Sequence, residues 1–266
     1  MVSFPDLEPD PKSNSIDLAF SDGGGVIHDI VYTGDAIFLL ARVNDAADFF
    51  VHRGNPSGGA WSQVGAAINE TPVGMWTDGT TVYLMVNRIN VPPGLACRQL
   101  PAGAGPAEPW QPCPGFPDYS KVGDNPFSFR GGLFGDSGTL AAWFEVQGTG
   151  KPSVAIHSAT AGGAWAEIGI LALPMPIAAD FDGHRLWLGY KGDETDSLLY
   201  AADVGGTFDV VGTEGLPAPV DEAMDGILGI CATADGTYLL HGAWNSAPGA
   251  LYQLSVFKDR SAPSAP

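Results

Sequence analysis

One pattern constrains this chain more than any other. Short apolar runs, separated by turns bearing glycine or aspartate, are grouped in units that recur at roughly 40–50 residues. The first unit has runs at 30–32, 37–41 and 49–52, with Gly34-Asp35 in its first turn and Trp61 opening a fourth run. The second has runs at 73–76, 82–86 and 95–98, with Asp78-Gly79 and Trp110 in the same places. The third has runs at 127–133, 140–145 and 153–157, with Gly138 and Trp165. In the fourth, runs 177–181, 186–189 and 198–201 carry Asp182-Gly183 and Phe208. A fifth (227–233, 238–241, 251–256) has Asp235-Gly236 but no fourth run of its own. Runs of this length between turn residues read as strands, and no helical period lasts three turns.

Four strands per unit at this period is the mark of propeller blades. The expected fold is therefore all-β, a five-bladed β-propeller of four-stranded blades. An orphan run at 16–20 would complete the fifth blade and close the ring. Six blades is the alternative. The propeller is expected over 15–258, with an N-terminal extension at 1–14 and a C-terminal tail at 259–266.

Two of the third turns share a finer pattern. Ser158, Thr160, Gly162 and Trp165 have the same spacing as Ala201, Asp203, Gly205 and Phe208, with Thr207 before the aromatic. A short polar side chain would tie the turn backbone, glycine would take the φ > 0 position, and the aromatic would plug the base. This spacing resembles the Asp-box (BNR) repeat of sialidase-like β-propellers. The resemblance implies architecture, because in those families the box lies away from the binding face. It does not extend to the sialidase site, which needs three arginines, a Tyr–Glu pair and an acid. Only Arg42, Arg88 and Arg130 fall on the loop face, and none precedes the first blade.

The 12 basic against 30 acidic residues give a net charge of −18, which repels phosphate backbones and anionic lipid. Nucleic acid and membrane surfaces are thus not expected as partners. No apolar run is long enough for a membrane helix, and the first ten residues do not read as a signal peptide. The expected location is extracellular or particle-associated. Cys97 and Cys113 flank one hairpin, so either one disulfide plus a thiol or three packed thiols is open. Cys231 lies in an apolar run and is expected to be buried.

No metal or cofactor is expected. His28, His52, His157, His184 and His241 stand singly, without HxH or HExxH spacing, and 22–29 lacks the alternating acids of a calcium loop. Candidate ligand contacts lie on blade-to-blade and second-to-third-strand loops: Asp22, His28, Arg88, Asp124, Asn125, Arg130, Trp244 and Asn245. Trp244 beside Asn245 suits stacking on a sugar face. The same loop face carries Asp29, Glu70 and Asp180, and a ring of acids could supply the carboxylate pair of a glycosidase. A chain with 30 acids also places carboxylates in every loop by chance. The sequence-based expectation is a non-catalytic, lectin-like binding module with no catalytic residues. It would engage a glycan or protein partner, as a subunit of an assembly such as a phage tail or virion. A glycoside hydrolase with channel carboxylates is the alternative.

Overall fold

A computed structural model describes residues 25–43, 48–88, 94–116, 131–136, 138–147, 152–171, 176, 178–190, 198–203, 208–211, 226–233, 236–243 and 253–258. These form five antiparallel sheets in chain order. Sheet 1 is β1 (Gly25–Tyr32), β2 (Ile37–Val43), β3 (Phe49–Gly54) and β4 (Ser62–Ile68). Sheet 2 is β5 (Thr71–Thr77), β6 (Thr81–Arg88), β7 (Gly94–Pro101) and the short β8 (Gln111–Pro112). Sheet 3 is β9 (Gly131–Asp136), β10 (Thr139–Gln147), β11 (Pro152–Thr160) and β12 (Ala166–Leu171). Sheet 4 is β13 (Ala178–Phe181), β14 (Arg185–Tyr190), β15 (Leu198–Asp203) and β16 (Phe208–Val211). Sheet 5 has three strands among the described residues: β17 (Gly226–Thr233), β18 (Gly236–Ala243) and β19 (Gln253–Lys258). The run at 16–20, expected to complete this sheet, lies outside the described residues.

Alternation along the second strands explains how the sheets stack. Val82, Leu84 and Val86 of β6 pack with Phe38, Leu40 and Val51 of sheet 1. Tyr83 and Met85, pointing the other way, pack with Leu140, Ala142 and Phe144 of β10. Ala141 and Trp143 of β10 then pack with Leu186, Leu188 and Tyr190 of sheet 4. Strands buried on both faces read as unbroken apolar runs, which is why these stood out in the sequence. Sheet 1 is also buried on its far face, where Leu39 and Ala41 are 1% exposed. The first strands adjoin in series, β1 with β5, β5 with β9, β9 with β13 and β13 with β17.

The first turn of sheets 1 to 4 is closed by a glycine in the left-handed region: Gly34, Gly79, Gly138 and Gly183, with φ between 86° and 92°. Asp78 and Asp182 brace two of these turns, accepting from Thr80 N and Thr81 N (both 2.7 Å) and from His184 N and Arg185 N (2.9 and 2.7 Å). The turn at 160–165 is the expected hairpin, with Gly162 at φ 73° and Trp165 buried. Its closure is by backbone, Gly163 N donating to Thr160 O at 2.8 Å. No hydrogen bond of the Thr160 side chain is present among the described residues, so the side-chain tie expected there is corrected. The equivalent Gly205 and Thr207 lie outside the described residues, and Asp203 and Phe208 are placed at the end of β15 and the start of β16.

Cys97 and Cys113 form a disulfide within sheet 2, which settles the open alternative. Cys231 corrects its expectation: it is exposed on β17.

Candidate functional site

The first strands of sheets 1 to 4 line a cavity of about 440 Å³. Its wall is mostly apolar, contributed by Val31, Val73, Met75, Leu133 and Phe134 among others. Two carboxylates, Asp29 and Asp180, interrupt that wall, with His28 beside the first. Both acids sit within strands rather than on loops, because β1 begins at Gly25 and β13 runs to Phe181. A bulge in the β1–β2 pairing between Ile27 and Asp29 sets His28 out of register. Such a bulge re-aims side chains without ending the strand.

Each carboxylate is held by backbone on both oxygens. Asp29 Oδ2 accepts from Met75 N at 2.8 Å, reaching from sheet 1 to sheet 2, and Oδ1 accepts from Ile30 N at 2.9 Å. Asp180 repeats this between sheets 4 and 5. Its Oδ2 accepts from Ala232 N at 2.7 Å, and its Oδ1 from Phe181 N at 2.9 Å. Burial raises the pKa of Asp29, opposed by its two backbone donors and by His28. Burial likewise raises that of Asp180; the two donors oppose it, and the nearby Asp182 carboxylate adds to it. Burial outweighs hydrogen bonding in both, so each carboxyl holds its proton more readily than an exposed one. Burial lowers the pKa of His28, and the neighbouring Arg42 lowers it further. Phe49 separates those two side chains, with His28 edge-on at 4.8 Å and the Arg42 guanidinium 5.7 Å from the ring centroid.

Tyr32 and Trp76 bring aromatic surface to the turn end of the cavity. Tyr32 is 64% exposed and held by its hydroxyl, which donates to Gly34 O at 2.9 Å. The Trp76 indole lies against Gly135, where a Cβ would collide with it.

Of the residues expected to bind a ligand, only His28 is brought to the cavity. Arg88 ends β6 opposite Gly94. Asp22, Asp124, Asn125, Arg130, Trp244 and Asn245 lie outside the described residues. Glu70, another acid of that face, forms an ion pair with Arg98 at 2.6 Å. Trp143 is buried between sheets 3 and 4, and Trp187 is buried with its indole donating to Asp182 Oδ2 at 2.9 Å. Asp29 and Asp180 were visible as acids, but nothing singled them out. The available signal was an Asp inside a strand that is otherwise apolar or small, DIVY at 29–32 and AADF at 178–181. No cluster of three metal-ligating side chains occurs among the described residues, and none of their helices is long and apolar enough to cross a membrane.

No family model matches this chain, and no curated protein does. Solved structures do. A prolyl endopeptidase matches with a TM-score of 0.50 at 12% identity, over 89% of this chain and 39% of its own. A sucrose-6-phosphate hydrolase from Lactobacillus gasseri gives a TM-score of 0.45 at 13% identity, over 88% of this chain and 59% of its own. An exo-β-1,3-galactanase from Phanerochaete chrysosporium gives 0.42 at 10% identity, over 86% and 59%. This chain thus spans about two fifths to three fifths of the length of these structures. At such identities the likeness is one of fold. It corrects the expectation of a non-catalytic binding module that is more a non-enzyme than an enzyme: the chains it resembles are peptidases and glycoside hydrolases.

Proposed function

We propose that the five sheets are blades of a five-bladed β-propeller and that the chain is a glycoside hydrolase acting at its central cavity. The serial contacts of the first strands and the burial of Leu39 and Ala41 on the far face of sheet 1 support closure of the ring. The observation that carries the activity is the pair Asp29 and Asp180, two carboxylates on different sheets facing one cavity. Glycoside hydrolysis needs two such groups flanking the scissile bond. Among the described residues the cavity wall has no serine, threonine, cysteine or lysine, and what it offers is a carboxylate pair. Tyr32 and Trp76 supply the flat apolar surface on which a sugar ring stacks. The substrate is accordingly a carbohydrate. The Cys97–Cys113 disulfide supports an oxidising, extracellular setting.

A panel of aryl glycosides tests this. The protein should hydrolyse at least one, and Asp29→Asn or Asp180→Asn should each lower kcat/KM by about 10²–10⁴-fold with the circular dichroism spectrum unchanged. Absence of turnover across the panel, or full activity in either variant, would sink the reading.

A further inference from the structure

Arg42 is a cation left over in a chain that carries 30 acidic residues against 12 basic. Its Nε is buried without a hydrogen-bond partner, and no ion pair or hydrogen bond of its guanidinium is present among the described residues. Arg98, by contrast, is met by Glu70 at 2.6 Å. A buried donor left unmatched is costly, so this one calls for an explanation. The strand registers say where it stands. Phe38, Leu40 and Arg42 alternate along β2 and share one face, and Phe38 and Leu40 pack toward sheet 2. Asp29 is paired with Leu40 and reaches Met75 N of sheet 2, so its carboxylate lies on that face too. Arg42 is two residues beyond Leu40, which sets it about 7 Å from the level of Asp29 along the strand axis, away from the first turn. His28 fills the interval. It lines the cavity, and its ring meets Phe49 edge-on at 4.8 Å. Phe49 is the cross-strand partner of Arg42, and the guanidinium lies 5.7 Å from its ring centroid.

Asp29, His28 and Arg42 therefore form a row that leads from the cavity along the face of sheet 1 turned toward sheet 2. Asp29 does not neutralise the arginine, because its two oxygens accept from Met75 N and Ile30 N. Burial and Arg42 both lower the pKa of His28, which keeps the imidazole neutral at pH 7 and leaves Arg42 as the cation of the row. Held over Phe49, the guanidinium presents a planar fork of donors, the group best matched to a carboxylate or a phosphate. Resting on the hydrolase reading above, we propose that Arg42, with His28 beside it, forms a subsite for an anionic group on the sugar, a carboxylate or a phosphate, so that the substrate is an acidic glycoside. A neutral sugar would leave the guanidinium unpaired. An acidic one brings the missing partner while its ring occupies the space between Arg42 and Asp29.

Nitrophenyl glycosides of several sugars, matched in all but the exocyclic carbon, test this. Each set holds the neutral hydroxymethyl member, its uronic acid and its phosphate ester. On one acidic member kcat/KM should exceed that on the neutral one by about 10²-fold, and which member it is identifies the anion. Arg42→Met keeps an apolar stem over Phe49 and removes the charge, so the preference should fall by about tenfold or more. Arg42→Lys keeps the charge without the fork and should fall between the two. It carries the same comparison should Arg42→Met not fold. Equal or better turnover of the neutral member by the wild type overturns the subsite and leaves the hydrolase reading in place. So does an unchanged preference in a variant that melts with the wild type. A wild type inert on every glycoside overturns the hydrolase reading, and the subsite is then tested alone by ligand-observed NMR with the free uronic acids and sugar phosphates. Binding that is lost in Arg42→Met supports it, and no binding to the wild type overturns it as well.

Discussion

The joint between sheets 2 and 3 and the wall of the cavity draw on the same sheets and are built by opposite means. At the joint, Tyr83, Met85, Leu140 and Phe144 are each no more than 2% exposed. The Cys97–Cys113 disulfide lies in the same apolar cluster. Polar links cross between the two sheets as well, Gly162 N donating to the Tyr83 hydroxyl at 2.8 Å and Trp165 N to Pro114 O at 3.3 Å. Along β1, by contrast, Val26, Ile27, Ile30 and Tyr32 are 43 to 64% exposed. What fastens that strand to sheet 2 is a carboxylate accepting from Met75 N. Apolar burial makes the joint strong and chemically inert. The wall gives up that burial and keeps groups that a ligand can reach.

The largest effect should come from removing packing at the joint. Phe144→Ala should cost about 3–5 kcal/mol, whereas Ile30→Ala on the cavity wall should stay within about 0.5 kcal/mol. Equal costs in urea unfolding would break the contrast. The disulfide comes next: its cysteines are 16 residues apart, a loop for which cross-linking is worth about 3 kcal/mol. Cys97→Ser with Cys113→Ser should lower the urea midpoint accordingly, and an unchanged midpoint would remove the bond from the account of the joint.

The smallest effect is a matter of sign. His157, stacked 5.1 Å from Phe144, has its pKa lowered by burial to about 4 from 6.5. The unfolded chain therefore takes up this proton first, and stability from His157 is lost as pH falls from 6.5 toward 4. Asp29 and Asp180 have raised pKa values, so the folded state holds their protons more tightly. Their contribution is fully present below the unfolded value of 3.8 and is lost as pH rises through the folded value. On acidification the wild type should lose melting temperature relative to His157→Phe and gain it relative to Asp29→Asn. Shifts of the same sign would show that joint and wall do not differ electrostatically.

Much of the joint was legible beforehand and little of the wall was. Runs such as 82–86 and 140–145 announce themselves because a strand buried on both faces must be apolar at every position. Trp165 was readable as the plug of a hairpin, and it packs edge-on against Phe116 at 5.4 Å. Side-chain braces occur at Asp78 and Asp182, in the first turns, and not at Thr160, where one was expected. His28, expected on a loop, lies within β1 and lines the cavity, and the bulge that lets β1 run through it leaves no mark in composition.

Strand content and the grouping into five units were determined by the sequence itself. They follow from local alternation and turn chemistry, which act within a few residues. That Asp29 and Asp180, among the described residues, line one cavity was decided only by the tertiary structure. The physical reason is that Asp29 and Asp180 are brought to one cavity by contacts among strands that lie far apart in the chain.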